Sequence, residues 1–208
     1  MADVQGLTMD AAPARGRADT SLDEVELVDD ADVMIGTMGK LLAHELGLRH
    51  RAVSVLIHDR QNRLLIHRRA ANKYHSGGLW TNTCCSHPRP GEPVLRAATR
   101  RLKEEMGIDV ALSPLFVMQY RARVSRRLIE SEVVHAFSGC FEGTPEPESS
   151  EVSDWRWISL PDLCADIDRR PERYTIWFRY FRSRHWPAIC QVAAASAVRA
   201  PDPQECPV

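Results

Sequence analysis

The sequence predicts one domain of mixed α/β (α+β) class, a sandwich in which strands and helices share a core. Three observations carry this. The chain has 208 residues, a length for one domain. β-rich runs are mixed with only a few helical stretches, and no internal repeat or linker separates them. Hydrophobic residues make up 44% and charged residues 26%, near globular averages, which excludes general disorder.

The elements follow in order. Residues 1–22, rich in Ala, Asp, Gly and Arg, are expected to be a flexible tail, residues 23–186 the domain, and residues 187–208 a second flexible tail. Val25 to Val28 reads as a strand, and Met38 to Glu45 as a helix closed by Gly47, since glycine takes the left-handed turn without penalty. Ala52 to Ile57 and Leu64 to His67 are β-rich and flank Asp59-Arg60-Gln61-Asn62, a hairpin signal. Leu79 to Thr83 reads as extended. Glu92-Pro93 opens a helix that Gly107 ends. Strands are expected over Leu115 to Tyr120, Glu132 to Phe141 and Trp155 to Ile158. Apolar residues at 176/177 and 180/181 make Arg173 to Arg184 an amphipathic helix.

A formal charge of -1 draws the molecule toward neither nucleic acid nor membrane, and no apolar run approaches the roughly 18 residues of a membrane span. The N-terminus lacks a basic region followed by a long apolar core, so no secretory signal is expected. The six cysteines (84, 85, 140, 164, 190, 206) form no CxxC pair, which fits reduced thiols and a cytoplasmic chain. Charge is locally uneven: from Arg49 to Lys73 seven basic residues face one acid, Asp59. This is a solvated face, or a funnel for a small polyanion.

On a helical wheel of Glu92 to Ile108, Val94, Leu95, Ala98, Leu102 and Met106 form one apolar face. Glu105 falls inside it, about 20° from Ala98, whereas Glu104 falls about 120° away. A carboxylate aimed at a core must be neutralised, paired or placed on a metal. Arg101, one turn earlier, is the obvious ion-pair partner.

Ser86-x5-Glu92-x7-Arg100-Arg101-Leu102-Lys103-Glu104-Glu105-Met106-Gly107-Ile108 resembles the Nudix box, G-x5-E-x7-R-E-U-x-E-E-x-G-U, with Ser86 for the opening glycine and Arg101 for an acid. Trp80-Thr81-Asn82-Thr83-Cys84-Cys85-Ser86-His87-Pro88 closely resembles the signature of the type 1 isopentenyl-diphosphate isomerases, a Nudix-fold family. Matches in the same order include Lys40-x3-His44, His50-Arg51-Ala52, Arg68-Arg69, Lys73, Tyr120, Glu130-x-Glu132 and Trp177.

The resemblance implies a Nudix-fold sandwich, a mixed sheet between helices, that isomerises isopentenyl to dimethylallyl diphosphate. It implies that His44, His50, His87, Glu130 and Glu132 hold one divalent ion, Mn2+, Mg2+ or Zn2+; the i,i+2 spacing of the glutamates on a strand is compatible with this. It further implies a Mg2+ bridging the diphosphate, held by Glu105 and the Cys85 carbonyl, and diphosphate contacts from Lys40, Arg69, Lys73 and Arg101. Cys85 would act as catalytic thiol, with Cys84 as the alternative, since neighbours on an extended segment point to opposite faces. Nearby cations are expected to lower the thiol's pKa. Across the cleft Glu132, helped by Tyr120, is expected to protonate the alkene while Cys85 deprotonates, and Trp177 would face the cationic centre. A monomer or weak homodimer is expected. Two alternatives stand beside this: a Nudix hydrolase of a diphosphate, which needs more carboxylates than the box retains, and a non-catalytic Nudix-fold binding module.

Overall fold

The computed structural model describes residues 24–198; the expected N-terminal tail, residues 1–22, lies outside them. Nine strands form one mixed sheet: β1 (Glu24–Val28), β2 (Met34–Gly39), β3 (His50–His58), β4 (Arg63–Arg69), β5 (Trp80–Thr81), β6 (Cys84–Ser86), β7 (Ser113–Arg123), β8 (Ile129–Cys140) and β9 (Val152–Ser159). The helices are α1 (Lys40–Leu46), α2 (Val94–Met106), α3 (Leu160–Arg169), α4 (Ile176–Arg184) and α5 (Trp186–Val198). β3 is central: it runs parallel to β8 from His50↔Glu132 to His58↔Cys140 and antiparallel to β6.

Alternation along β3 divides the core. Val53, Val55 and Ile57 face α2, where Ala97, Ala98, Leu102 and Met106 cover them. Ala52 and Leu56 face the other way, onto Leu163, Ile167, Phe178 and Phe181 of α3 and α4. The sheet is thus sandwiched between α2 and the C-terminal helices. α2 ends at Gly107 in the left-handed conformation (φ 69°), and a Cβ there would lie 2.8 Å from the Glu146 carbonyl, so glycine is required twice over.

β3 and β4 pair only at His58↔Leu64, so the sheet opens between them. The segment joining β5 and β6 fills the opening with side chains in place of ladder bonds. Asn82 Nδ2 donates to the Val55 and Cys84 carbonyls, Thr83 Oγ1 donates to the Leu65 carbonyl, and the Ile57 amide donates to Thr83 Oγ1. All three residues from Thr81 to Thr83 are fully buried. This polar wedge is what holds a cleft beside β6.

Four local expectations change. The helix expected from Met38 starts at Lys40, because Met38 and Gly39 pair with β1. β2 was not expected; an Asp29 turn, whose carboxylate accepts from the Ala31 and Val33 amides, folds it back. α3 was also missed, although Ser159 caps it by accepting from the Asp162 amide. The expected C-terminal tail, residues 187–208, is corrected over its described part: residues 186–198 form α5, whose Ile189 and Ala193 are buried against the α4 side of the core, and residues 199–208 lie outside the described residues.

Candidate active site

Strand pairing builds the site. In three adjacent strands His50 (β3), Glu132 (β8) and Tyr120 (β7) sit side by side, with Glu130 two residues along β8 on the same face. Tyr120 Oη donates to Glu132 Oε2 at 2.7 Å. His44, fully buried on α1, places Nε2 3.5 Å from Glu130 Oε2; His50 Nε2 lies 3.5 Å and His87 Nε2 3.0 Å from Glu132 Oε1.

The donor chemistry of this cluster fits a divalent cation. His44 Nδ1 lies 2.7 Å from the Lys40 carbonyl and His50 Nδ1 2.9 Å from the Leu48 carbonyl. Each Nδ1 therefore carries a proton for its carbonyl, and each Nε2 is aimed at a carboxylate. Those Nε2 atoms and Glu130 Oε2 are buried with no hydrogen-bond partner among the described residues. Burial pushes His87 down to about 3, so the ring is neutral. Against the opposing effect of burial, His50 and His87 hold Glu132 well below the usual carboxylate range. Neutral imidazoles and an ionised carboxylate are the forms that bind metal. Among the described residues, two sets lie within ligating reach of a common ion: His44, His50, His87 and Glu132, and His44, His75 and Glu130.

The cluster forms the floor of a cleft. Lys40, Arg69, Lys73, Cys85, His87, Arg101, Glu105, Tyr120, Glu130, Glu132 and Trp177 all line it, with His44 and His50 buried behind them. Four cations surround its mouth. Burial, with Lys73 nearby, lowers the Lys40 pKa. Lys73 pairs with Glu151. Arg69 lies over the Trp177 ring, 5.4 Å from its centroid. Arg101 bonds Glu105 and Glu104. The box divides accordingly. Glu105 is buried and burial raises its pKa, whereas Glu92 clamps Arg100 and Glu104 stays partly exposed on Arg100 and Arg101. Among the box glutamates Glu105 alone reaches this cleft.

β6 separates the two thiols. Cys84 lies opposite Val55 and is fully buried in the α2 side of the core; Cys85 lies opposite Ser54 and enters the cleft. The Cys85 thiol donates to Asn82 Oδ1 at 3.0 Å, and Ser54 Oγ lies 3.2 Å from its sulfur. The expected lowering of its pKa does not occur: burial pushes it up to about 12. Asn82 Oδ1 also accepts from Thr81 Oγ1, which in turn accepts from Trp177 Nε1 at 2.8 Å. One hydrogen-bonded chain therefore ties the indole wall to the thiol.

Sequence reasoning assigned no role to Thr81, Asn82, Ser54, His75 or Glu151. Thr81 and Asn82 stood within the quoted signature. A lone serine on a strand, a loop histidine and a loop glutamate carry no pattern.

The NUDIX domain model matches residues 48–179, more than half of the chain. Isopentenyl-diphosphate Delta-isomerase 1 of Aromatoleum aromaticum is 52% identical over 155 residues, 74% of this chain and 88% of that protein. Isopentenyl-diphosphate Delta-isomerase of Burkholderia multivorans is 50% identical over 152 residues, 73% and 86% respectively. Among solved structures, a Deinococcus radiodurans protein superposes with TM-score 0.64 at 19% identity, over 77% of this chain and 98% of that one. A MutT NUDIX hydrolase from Burkholderia pseudomallei gives TM-score 0.53 at 22% identity, covering 65% and 97%. At these identities the structural matches speak for the fold.

Proposed function

The chain belongs to the Nudix family and, within it, to the isopentenyl-diphosphate Delta-isomerases, and from that membership we infer that its cleft converts isopentenyl diphosphate to dimethylallyl diphosphate. The reaction adds a proton at one carbon of the alkene and removes one from another. It needs a donor and an acceptor on opposite sides of an apolar skeleton, and cations for the diphosphate. The observation that carries the reading is the meeting of the Cys85 thiol and the Tyr120-bonded Glu132 in one cleft bordered by Lys40, Arg69, Lys73 and Arg101.

Cys85 and Glu132 exchange the protons, the Tyr120 hydroxyl fixes the Glu132 carboxylate, and Trp177 offers its ring to the developing tertiary cation, a contact worth roughly 0.5–2 kcal/mol. In the free cleft the proton sits on the thiol and the negative charge on Glu132. The order expected from sequence, with Glu132 and Tyr120 as donor, requires Glu132 to be protonated first.

His44, His50, His87, Glu130 and Glu132 would hold a divalent ion, Mn2+, Mg2+ or Zn2+, and Glu105 with the Cys85 carbonyl a Mg2+ that accompanies the diphosphate. When bound, these ions supply positive charge that lowers carboxylate basicity and screens the phosphates. No helix among the described residues is long and apolar enough to cross a membrane. A cytoplasmic location and a monomer or weak homodimer belong to the same proposal. Hydrolysis is the weaker reading, because Glu92 and Glu104, each paired with arginine, do not reach the reacting cleft.

Incubating the protein with isopentenyl diphosphate and Mg2+ in deuterated water tests the proposal. Deuterium-bearing dimethylallyl diphosphate is expected. Released phosphate or monophosphate, without a shifted double bond, would sink it.

A further inference from the structure

Among the side chains of the cleft, His75 is the imidazole that neither the motif resemblance nor the proton exchange uses. It sits on the loop between β4 and β5, between Tyr74, which is 42% exposed, and Ser76, yet is only 7% exposed itself. The loop is built to turn it inward. Arg69 and Leu79 close its base with a 2.9 Å backbone bond, Ser76 adopts φ 53°, and Gly77 packs where a Cβ would lie 2.5 Å from the Ala71 carbonyl. A left-handed serine costs of order 1–3 kcal/mol and persists only where the surroundings impose it. The ring packs edge-on against Tyr74 and Trp177.

The imidazole meets Glu130 in a specific way. His75 Nε2 lies 2.9 Å from Glu130 Oε1, while Glu130 Oε2, turned toward His44 Nε2, has no hydrogen-bond partner among the described residues. One carboxylate oxygen is occupied and the other is left bare beside a bare imidazole nitrogen. We propose that His75 is a positioning residue of the metal centre: its Nε2–H holds Glu130 Oε1, so that Oε2 is presented to the ion beside His44. This rests on the reading of the His/Glu cluster as a metal centre. Carboxylate ligands of metals are characteristically held by such outer hydrogen bonds, whose loss weakens binding about 10- to 100-fold. The same loop carries Lys73 at the cleft mouth, two residues earlier, so docking of His75 on Glu130 also anchors the arm that faces the diphosphate.

The test is metal affinity of the full-length protein, stripped of metal and titrated with Mn2+ against a competing chelator. His75→Ala is expected to weaken Mn2+ binding about 10- to 100-fold with unchanged stoichiometry. His75→Gln, whose amide can donate from nearly the same position, is expected to recover most of the affinity. Equal affinity in wild type and His75→Ala would overturn the proposal. So would a His75→Gln variant as weak as the alanine one, which would make the ring a direct ligand or mere packing. If His75→Ala does not fold, near-wild-type affinity in His75→Gln supports the proposal and a large loss overturns it. Wild-type protein that binds no Mn2+ would instead remove the metal-centre reading, and this inference with it.

Discussion

Cys84 and Cys85 show how much a single position along a strand decides. They share a peptide bond, yet one thiol is sealed beneath α2 and the other opens into the cleft. Replacing Cys85 by alanine is expected to lower turnover about 10²- to 10⁴-fold, the usual worth of a positioned acid or base. Replacing Cys84 removes one buried sulfur, so stability should fall by about 1 kcal/mol with turnover largely kept. Steady-state rates and melting temperatures of the two variants check this, and equal loss of turnover would undo the choice of cysteine. Sequence alone left the cysteines distinguishable only by resemblance, because alternation says that they diverge and not which way. The same holds for Glu105. Its place on the apolar face of α2 was legible from the wheel, as was its partner Arg101 one turn earlier, but the second carboxylate that Arg101 meets, Glu151, is brought there by tertiary structure.

At the scale of elements, α5 is the largest departure from what the sequence suggested. Its alanine-rich run has no clear apolar stripe, so periodicity gave no sign of it, and it is helical because α4 and β7 offer Ile189 and Ala193 a place in the core. Ile189→Ala is accordingly expected to destabilise the protein by about 2–5 kcal/mol, measured by urea unfolding. A change within about 0.5 kcal/mol would mean that α5 is not a working part of the fold. Elements with their own signals were readable: Gly107 closes α2, and the Asp59–Asn62 turn joins β3 to β4. The opening between β3 and β4 was not, since side chains of Asn82 and Thr83 replace backbone pairing there and no local pattern announces such a wedge.

For the molecule as a whole, acid sensitivity has an identifiable contributor away from the reacting groups. His67, 2% exposed with Nδ1 2.9 Å from the Thr83 carbonyl, is pushed by burial down to about 4 from its ordinary 6.5. Below pH 6.5 the unfolded chain takes up a proton that the folded chain refuses. Stability from this residue is therefore full above about pH 6.5 and declines as pH falls toward 4, by about 3 kcal/mol in all. His67→Asn keeps a donor for the Thr83 carbonyl and cannot titrate. Its loss of unfolding free energy between pH 7 and pH 4.5 should be smaller than wild type's by about 2 kcal/mol; parallel losses would contradict this. The long parallel seam between β3 and β8 has a further consequence for any population of folded chains. A slip of one residue would turn Glu130 and Glu132 toward α2 and bring Ser131 and Val133 round to the histidines. Misthreaded copies would press two unpaired carboxylates onto the apolar residues of α2, so the same acids that serve the cleft penalise every other threading of the strand.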